Sequence, residues 1–142
     1  MPQYYIWTIG CQMNKAESER LSSCLEELGY QATDAAEGAD IIVLNSCVVR
    51  QSAEERVLNK LNSLSSLKRR RPDVTIALTG CMVGARLNGL EHRFPYVDLF
   101  LRPQAWSPLL ERVPRGKSTP LSPPSISTFV TIIQGCNNFC SY

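Results

Sequence analysis

A chain of 142 residues, 44% hydrophobic and 20% charged, is long enough for one domain with a substantial core, because a globular chain of this size buries roughly 70% of the surface its unfolded form exposes. Its net charge of +2 is too small to point to nucleic acid by itself, and no apolar run is long enough to span a bilayer. The polar stretch GCQMNKAESER near the amino terminus stands where a secretory signal needs an apolar core, so the expectation is a cytoplasmic protein, monomeric and without a membrane partner.

The first segment, YYIWTI at 4 to 9, reads as a strand and is followed at once by Gly10 and Cys11. Asn14 is expected to cap a helix, with Glu17 three residues later completing a capping box and Gly29 supplying the left-handed stop. Leu21, Cys24, Leu25 and Leu28 recur at helical spacing, which assigns Cys24 to a buried helix face. A short strand is expected at 30 to 33. DIIVLN at 40 to 45 is a nearly continuous apolar run, as in a strand covered on both faces, and it breaks at Asn45, Ser46 and Cys47.

Ser52 is expected to cap a long helix striped by Val57, Leu58, Leu61, Leu64 and Leu67. That helix ends in the basic run Lys68 to Arg71, which suits a solvated helix C-terminus or, as the alternative, an RNA-facing surface. VTIALT at 74 to 79 is the next strand, followed by Gly80 and Cys81 and a helix at about 83 to 92. A strand at 96 to 101 and a short helix at 107 to 113 complete the periodic part. Strands alternating with helices predict an α/β fold: a Rossmann-like three-layer domain, residues 1–113, with a mostly parallel sheet. PRGKSTPLSPPSIS at 114 to 127 reads as a linker. FVTII, at 129 to 133, then opens a new unit, spanning 128–142.

Six cysteines stand at 11, 24, 47, 81, 136 and 140. A cytoplasmic chain with a core of this size does not need disulfides, which leaves metal ligation as the preferred reading beside ordinary buried thiols. Cys11, Cys47 and Cys81 each follow the carboxyl end of an expected strand. In a parallel sheet with right-handed crossovers those ends share one edge, and adjacent strands are about 4.8 Å apart, so three thiols far apart in sequence can converge. A structural zinc would want a fourth protein ligand, and the one histidine, His92, belongs to a helix end rather than a strand end. A [4Fe–4S] cluster with three cysteine-bound irons and one open iron fits better. At the other end, Cys136 and Cys140 form a C-x3-C pair.

These residues carry a resemblance. GCQMNKAESER at 10 to 20, NSCVVRQSAEERV at 45 to 57, TGCMVGAR at 79 to 86, FPYVDL at 94 to 99 and QGCNNFCSY at 134 to 142 resemble the methylthiotransferases of the radical S-adenosylmethionine superfamily, in their MiaB-like, tRNA-modifying branch. The likeness covers the whole chain except the linker. It implies that Cys11, Cys47 and Cys81 bind an auxiliary [4Fe–4S] cluster. It also implies that Cys136 and Cys140 are two of the three ligands of a radical cluster, the third being expected one residue beyond Tyr142, in a truncated start of the radical domain. The chain would then be an amino-terminal fragment, inactive alone and holding at most the auxiliary cluster.

In the complete enzyme the resemblance implies conversion of C2–H of N6-isopentenyladenosine next to the anticodon to C2–SCH3. That reaction uses two [4Fe–4S] clusters, S-adenosylmethionine, an electron donor and a sulfur source, with the tRNA anticodon stem-loop as partner. Gln12-Met13-Asn14 after the first cysteine and Arg50 after the second resemble this branch, and Asn14 and Arg50 are candidates for orienting cluster or substrate. Two departures are Ser46, where threonine is usual, and Leu101-Arg102, where Gly-Thr is usual. The alternatives are a sibling branch acting on threonylcarbamoyladenosine in tRNA or on a ribosomal protein, and a non-enzymatic metal-binding scaffold.

Overall fold

The computed structural model describes residues 2–47 and 51–114. Arg50, Cys136, Cys140 and, apart from Pro114, the linker and the segment after it lie outside the described residues.

Five strands, β1 (Gln3–Thr8), β2 (Gln31–Ala32), β3 (Ile41–Ser46), β4 (Thr75–Gly80) and β5 (Leu99–Phe100), form one sheet in the order β2-β1-β3-β4-β5. Every pairing is parallel. The connections are α1 (Gln12–Glu27), α2 (Gln51–Arg70), α3 (Cys81–Arg93) and the short α4 (Ser107–Arg112), with one 3-10 turn, Ala36–Gly38, before β3. No helix of the described residues is long and apolar enough to cross a membrane.

The central strands explain the three layers. All six residues of β3 are buried, as a strand covered on both faces requires. Successive side chains of β3 and β4 point to opposite faces. Ile42, Leu44, Ile76 and Leu78 pack with Val57, Leu61 and Leu64 of α2 and with Met82, Val83 and Leu90 of α3. On the other face Tyr4, Ile41, Val43 and Ala77 pack with Leu21 and Leu25 of α1 and with Leu109 of α4. The expected strands and helices are thus present, and the sheet is wholly parallel. β5 is shorter than its apolar run because only Leu99 and Phe100 pair with β4, although Leu101 continues the ladder by donating its N–H to the Leu78 carbonyl at 2.8 Å.

Two local expectations are corrected. Asn14 is not the N-cap of α1; that position is Cys11. Ser52 lies inside α2 rather than capping it. Gly29 does provide the left-handed stop after α1, with φ of 91°.

The basic run is solvated only in part: Arg69 and Arg70 are exposed, whereas Lys68 and Arg71 are held by the fold. Lys68 donates to both oxygens of Asp98, at 2.8 and 3.1 Å, and to the Val74 carbonyl at 2.6 Å. Arg71 donates to the Glu37 and Ala39 carbonyls at 2.6 and 2.9 Å and pairs with Asp40 at 3.3 Å. These bonds tie α2 to the edge where β3 and β4 begin, so Lys68 and Arg71 act in the fold rather than as a nucleic-acid surface.

Tyr4 anchors β1 to α1 by donating to Glu26 Oε1 at 2.9 Å and by a short contact with Ser22 Oγ. Burial, reinforced by Glu26 and opposed by the Ser22 bond, pushes its phenol from 10.0 up to about 12. The folded state therefore holds this proton more tightly than the unfolded chain. The stabilisation is fully present below pH 10 and is lost as pH rises towards 12, by up to about 3 kcal/mol at 1.4 kcal/mol per pH unit. Urea unfolding of wild type against Tyr4→Phe at pH 9 to 12 should show wild type losing stability relative to the variant. Parallel curves would contradict this origin.

Candidate functional site

Ligands of open parallel sheets bind beyond the carboxyl ends of the strands, where neighbouring connections leave on opposite faces. Here that point lies between β1 and β3, since α1 covers one face and α2 the other. Cys11 follows β1, Cys47 follows β3 and Cys81 follows β4. β1, β3 and β4 are consecutive in the sheet and in register, Thr8 beside Asn45 and Ser46 beside Gly80.

The loops lie against one another. A Cβ built on Gly10, whose φ is 134°, would come within 2.8 Å of Cys47 Cβ. One on Gly80, φ 96°, would meet the Ser46 backbone and stand 2.7 Å from Asn45 Oδ1. Only glycine permits these two close approaches at positive φ. The two glycines are thus what lets the second cysteine loop be flanked by the first and the third.

A cavity of about 380 Å3 opens at the switch point, with Gly10, Cys11 and Cys47 on one side and Ser52 and Arg56 of α2 on the other. Cys47 is buried, whereas Cys11 and Cys81 are exposed. Cys81 does not line this cavity but lies within electrostatic reach of both other thiols. Burial first, then Cys47, Cys11 and Glu17, pushes its thiol above the ordinary range, against a small opposing effect of its own backbone N–H. Glu17, 4% exposed, has its carboxyl raised by burial despite the nearby Arg20. A thiol that resists ionising, as Cys81 does, holds a proton that a cation can replace. Among the described residues no group of three or more His, Cys, Asp or Glu side chains is arranged to hold a metal ion.

A buried polar lattice supports the loops. Asn14 Oδ1 accepts from the Cys11 N–H at 3.2 Å and from the Cys11 thiol at 3.3 Å. Its Nδ2 donates to Asn45 Oδ1 at 3.0 Å and to the Ser46 carbonyl at 2.9 Å. Asn45 Nδ2 donates to the Asn14 carbonyl at 2.8 Å and to Ser18 Oγ at 3.0 Å, while the Ser46 hydroxyl donates to the Thr79 carbonyl at 2.6 Å. Asn45, Ser46, Thr79 and Asn14 are all at most 2% exposed. Ser46 thus bonds β3 to β4. The Thr79 hydroxyl, two residues before Cys81, is buried without a partner among the described residues.

The structure thus brings Cys11, Cys47, Cys81 and Asn14 to one edge. His92 is exposed on the last turn of α3. Cys24 is half-buried between α1 and α4, beside Leu28 and Leu110. Arg50, Cys136 and Cys140 fall outside the described residues. Sequence reasoning missed Asn45 and Glu17: the first looked like the end of an apolar strand, and the second like a surface capping residue.

Over all 142 residues the chain is 51% identical to a tRNA-2-methylthio-N(6)-dimethylallyladenosine synthase of Dehalococcoides mccartyi (strain CBDB1), covering 34% of that protein. Proteins of the same name from Chloroflexus aurantiacus and Dictyoglomus thermophilum are 44% and 40% identical, over 99% and 100% of this chain and 32% and 37% of their own lengths. The chain spans about a third of the length of the curated relatives it matches. Residues 3–102, which hold all five strands and all three edge cysteines, match the family model described as "Uncharacterized protein family UPF0004", and the chain belongs to that family.

Proposed function

We propose that this chain is the part of a tRNA methylthiotransferase that binds an auxiliary [4Fe–4S] cluster through Cys11, Cys47 and Cys81. The observation that carries the reading is the presence of three thiol-bearing loops on one edge of a parallel sheet, with Cys11 and Cys47 lining the cavity at its switch point and Cys81 on the neighbouring strand end. The donor set is thiolate without histidine, which suits iron–sulfur chemistry. Cys81 lies within electrostatic reach of the Cys11 and Cys47 thiols, and in a cluster each of the three thiolates would bind a different iron. When bound, such a cluster supplies an open iron for the sulfur that is transferred.

The chain's own residues prepare that site. Cys47 forms its buried side, and Cys11 and Cys81 its exposed side. Asn14 fixes the Cys11 backbone. Its bond from the Cys11 thiol requires a protonated sulfur and belongs to the metal-free state. Each cysteine gives up a proton on ligation, and burial together with the neighbouring thiols raises the Cys81 thiol against that loss. Arg56 places a cation at the cavity wall, where negative charge of a cluster or a substrate is stabilised.

For the whole protein the substrate is tRNA bearing a dimethylallyl, or isopentenyl, group on N6 of an adenosine next to the anticodon, converted at C2 from C–H to C–SCH3. The relatives' names support this choice of base. In this reading residues 114–127 are a linker and 128–142 begin a radical domain, where Cys136 and Cys140 would be two of the three ligands of a second [4Fe–4S] cluster, a group that would supply the chemistry of reductive S-adenosylmethionine cleavage. Arg50 is an orienting residue, and an electron donor and a sulfur source complete the system, in the cytoplasm.

The test uses a polypeptide that continues this chain through the rest of the relatives' length, with S-adenosylmethionine, a strong reductant and isopentenylated tRNA. Nucleoside mass spectrometry should detect the methylthio product, and Cys11→Ala should abolish it. Undiminished product from that variant would contradict the role of the edge cysteines. The 142-residue chain alone should release no 5'-deoxyadenosine, and clear release would overturn the division of labour.

A further inference from the structure

We infer that Asn45 is a positioning residue that holds the cysteine loops in register before any cluster is bound; the inference deepens the cluster reading and, for its purpose, rests on it. Asn45 is the last residue of β3 to pair with β1, two positions before Cys47. Its side chain reaches back to α1, the helix that begins beside Cys11. Its Oδ1 accepts from Asn14, and its Nδ2 donates to the Asn14 carbonyl and to Ser18 Oγ. It therefore uses one acceptor and both donors, at 2% exposure. The Asn14 amide it faces is also saturated, with two donors given and two bonds accepted, both from Cys11.

The two asparagines are joined reciprocally, the Asn14 amide to Asn45 Oδ1 and the Asn45 amide to the Asn14 backbone carbonyl, and one of them holds the Cys11 N–H while the other precedes Cys47. A third loop is attached to the same point. Gly80, immediately before Cys81, passes so close to Asn45 Oδ1 that a Cβ would stand 2.7 Å from it. Asn45 thus bonds to Asn14, which holds the Cys11 loop, stands two residues before Cys47 and lies against Gly80, which precedes Cys81. Buried amides with every polar atom paired specify one arrangement, because any slippage strands a donor or an acceptor away from water. A loop set fixed in this way meets an incoming cluster without first being ordered, the advantage that preorganised ligands confer.

The experiment compares wild type, Asn45→Asp and Ser18→Ala in the metal-free 142-residue chain. The aspartate keeps the shape but loses both donors, and Ser18→Ala removes one acceptor of Asn45 together with the Ser18 hydroxyl's bond to Thr8 Oγ1. Alkylation by iodoacetamide under native conditions is followed at each cysteine by mass spectrometry. Cys47 should react about ten-fold faster in Asn45→Asp, equivalent to about 1.4 kcal/mol of loop opening, and by a smaller factor in Ser18→Ala. Cys24, half-buried on α1 away from the edge, should keep its rate. A purely structural role would raise Cys24 and Cys47 together.

Anaerobic iron and sulfide loading is the second readout: Asn45→Asp should hold less than half the iron of wild type. If wild type loads no iron, the cluster reading fails while the alkylation rates still decide the positioning role. A folded Asn45→Asp whose Cys47 rate stays within about two-fold of wild type, or whose Cys24 rate rises in step, overturns the inference. If that variant does not fold, an unchanged Cys47 rate in Ser18→Ala overturns it and a raised one supports it.

Discussion

Replacing Cys47 by serine should reduce iron bound after anaerobic reconstitution from about four atoms per chain to less than one. The expectation rests on where this sulfur sits. Cys47 is the buried member of the edge set, flanked by Gly10 and lining the cavity that Cys11 shares. Loss of a rim thiol leaves a site that solvent can partly complete, whereas loss of the buried thiol leaves a ligand position no water readily reaches. The fold should survive, because a serine hydroxyl at a 4% exposed position costs only about 1–3 kcal/mol if left unpaired. Cys24→Ser should leave the iron count unchanged. Full iron in Cys47→Ser, measured by colorimetric assay and Mössbauer spectroscopy, would remove Cys47 from the ligand set.

Gly80→Ala should be the most damaging single methyl in the domain. At φ of 96° an L side chain is strained, and its Cβ would press on the Ser46 backbone, which cannot yield as a flexible side chain would. The left-handed strain and the overpacking together cost about 3–5 kcal/mol, or a fall in melting temperature of about 10–20 °C for a domain of this size. Gly89→Ala is the control: it lies within α3 with nothing within 4 Å of the new Cβ, and should be neutral or stabilising by about 0.5–1 kcal/mol. Calorimetry on the two variants decides the matter. Similar melting temperatures would mean that the second and third cysteine loops are not pressed together as described.

The sheet was legible because its strands carry their own signal: the apolar runs at β3 and β4 are buried on both faces, and Gly10 and Gly80 mark the ends of β1 and β4. The placement of Cys11, Cys47 and Cys81 on one edge was legible for the same reason, since strand ends in a parallel sheet share an edge. What escaped was held by partners remote in sequence. Asn14 looked like a cap, but its amide is claimed by Asn45, 31 residues away, and the weak capper Cys11 takes the N-cap instead. The basic run looked solvated because Asp98 and Asp40 cannot be seen from within α2. Local periodicity carries no information about such pairs; only the packing of the sheet creates them.

The central claim is that the three edge thiols share one cluster. Its most direct test is anomalous diffraction at the iron edge from crystals of the anaerobically reconstituted chain. A single compact peak of about four irons, beyond the carboxyl ends of β1, β3 and β4 and joined to Cys11, Cys47 and Cys81, is the predicted result. Iron at any other place, or a lone metal ion bound by fewer than all three sulfurs, would contradict it.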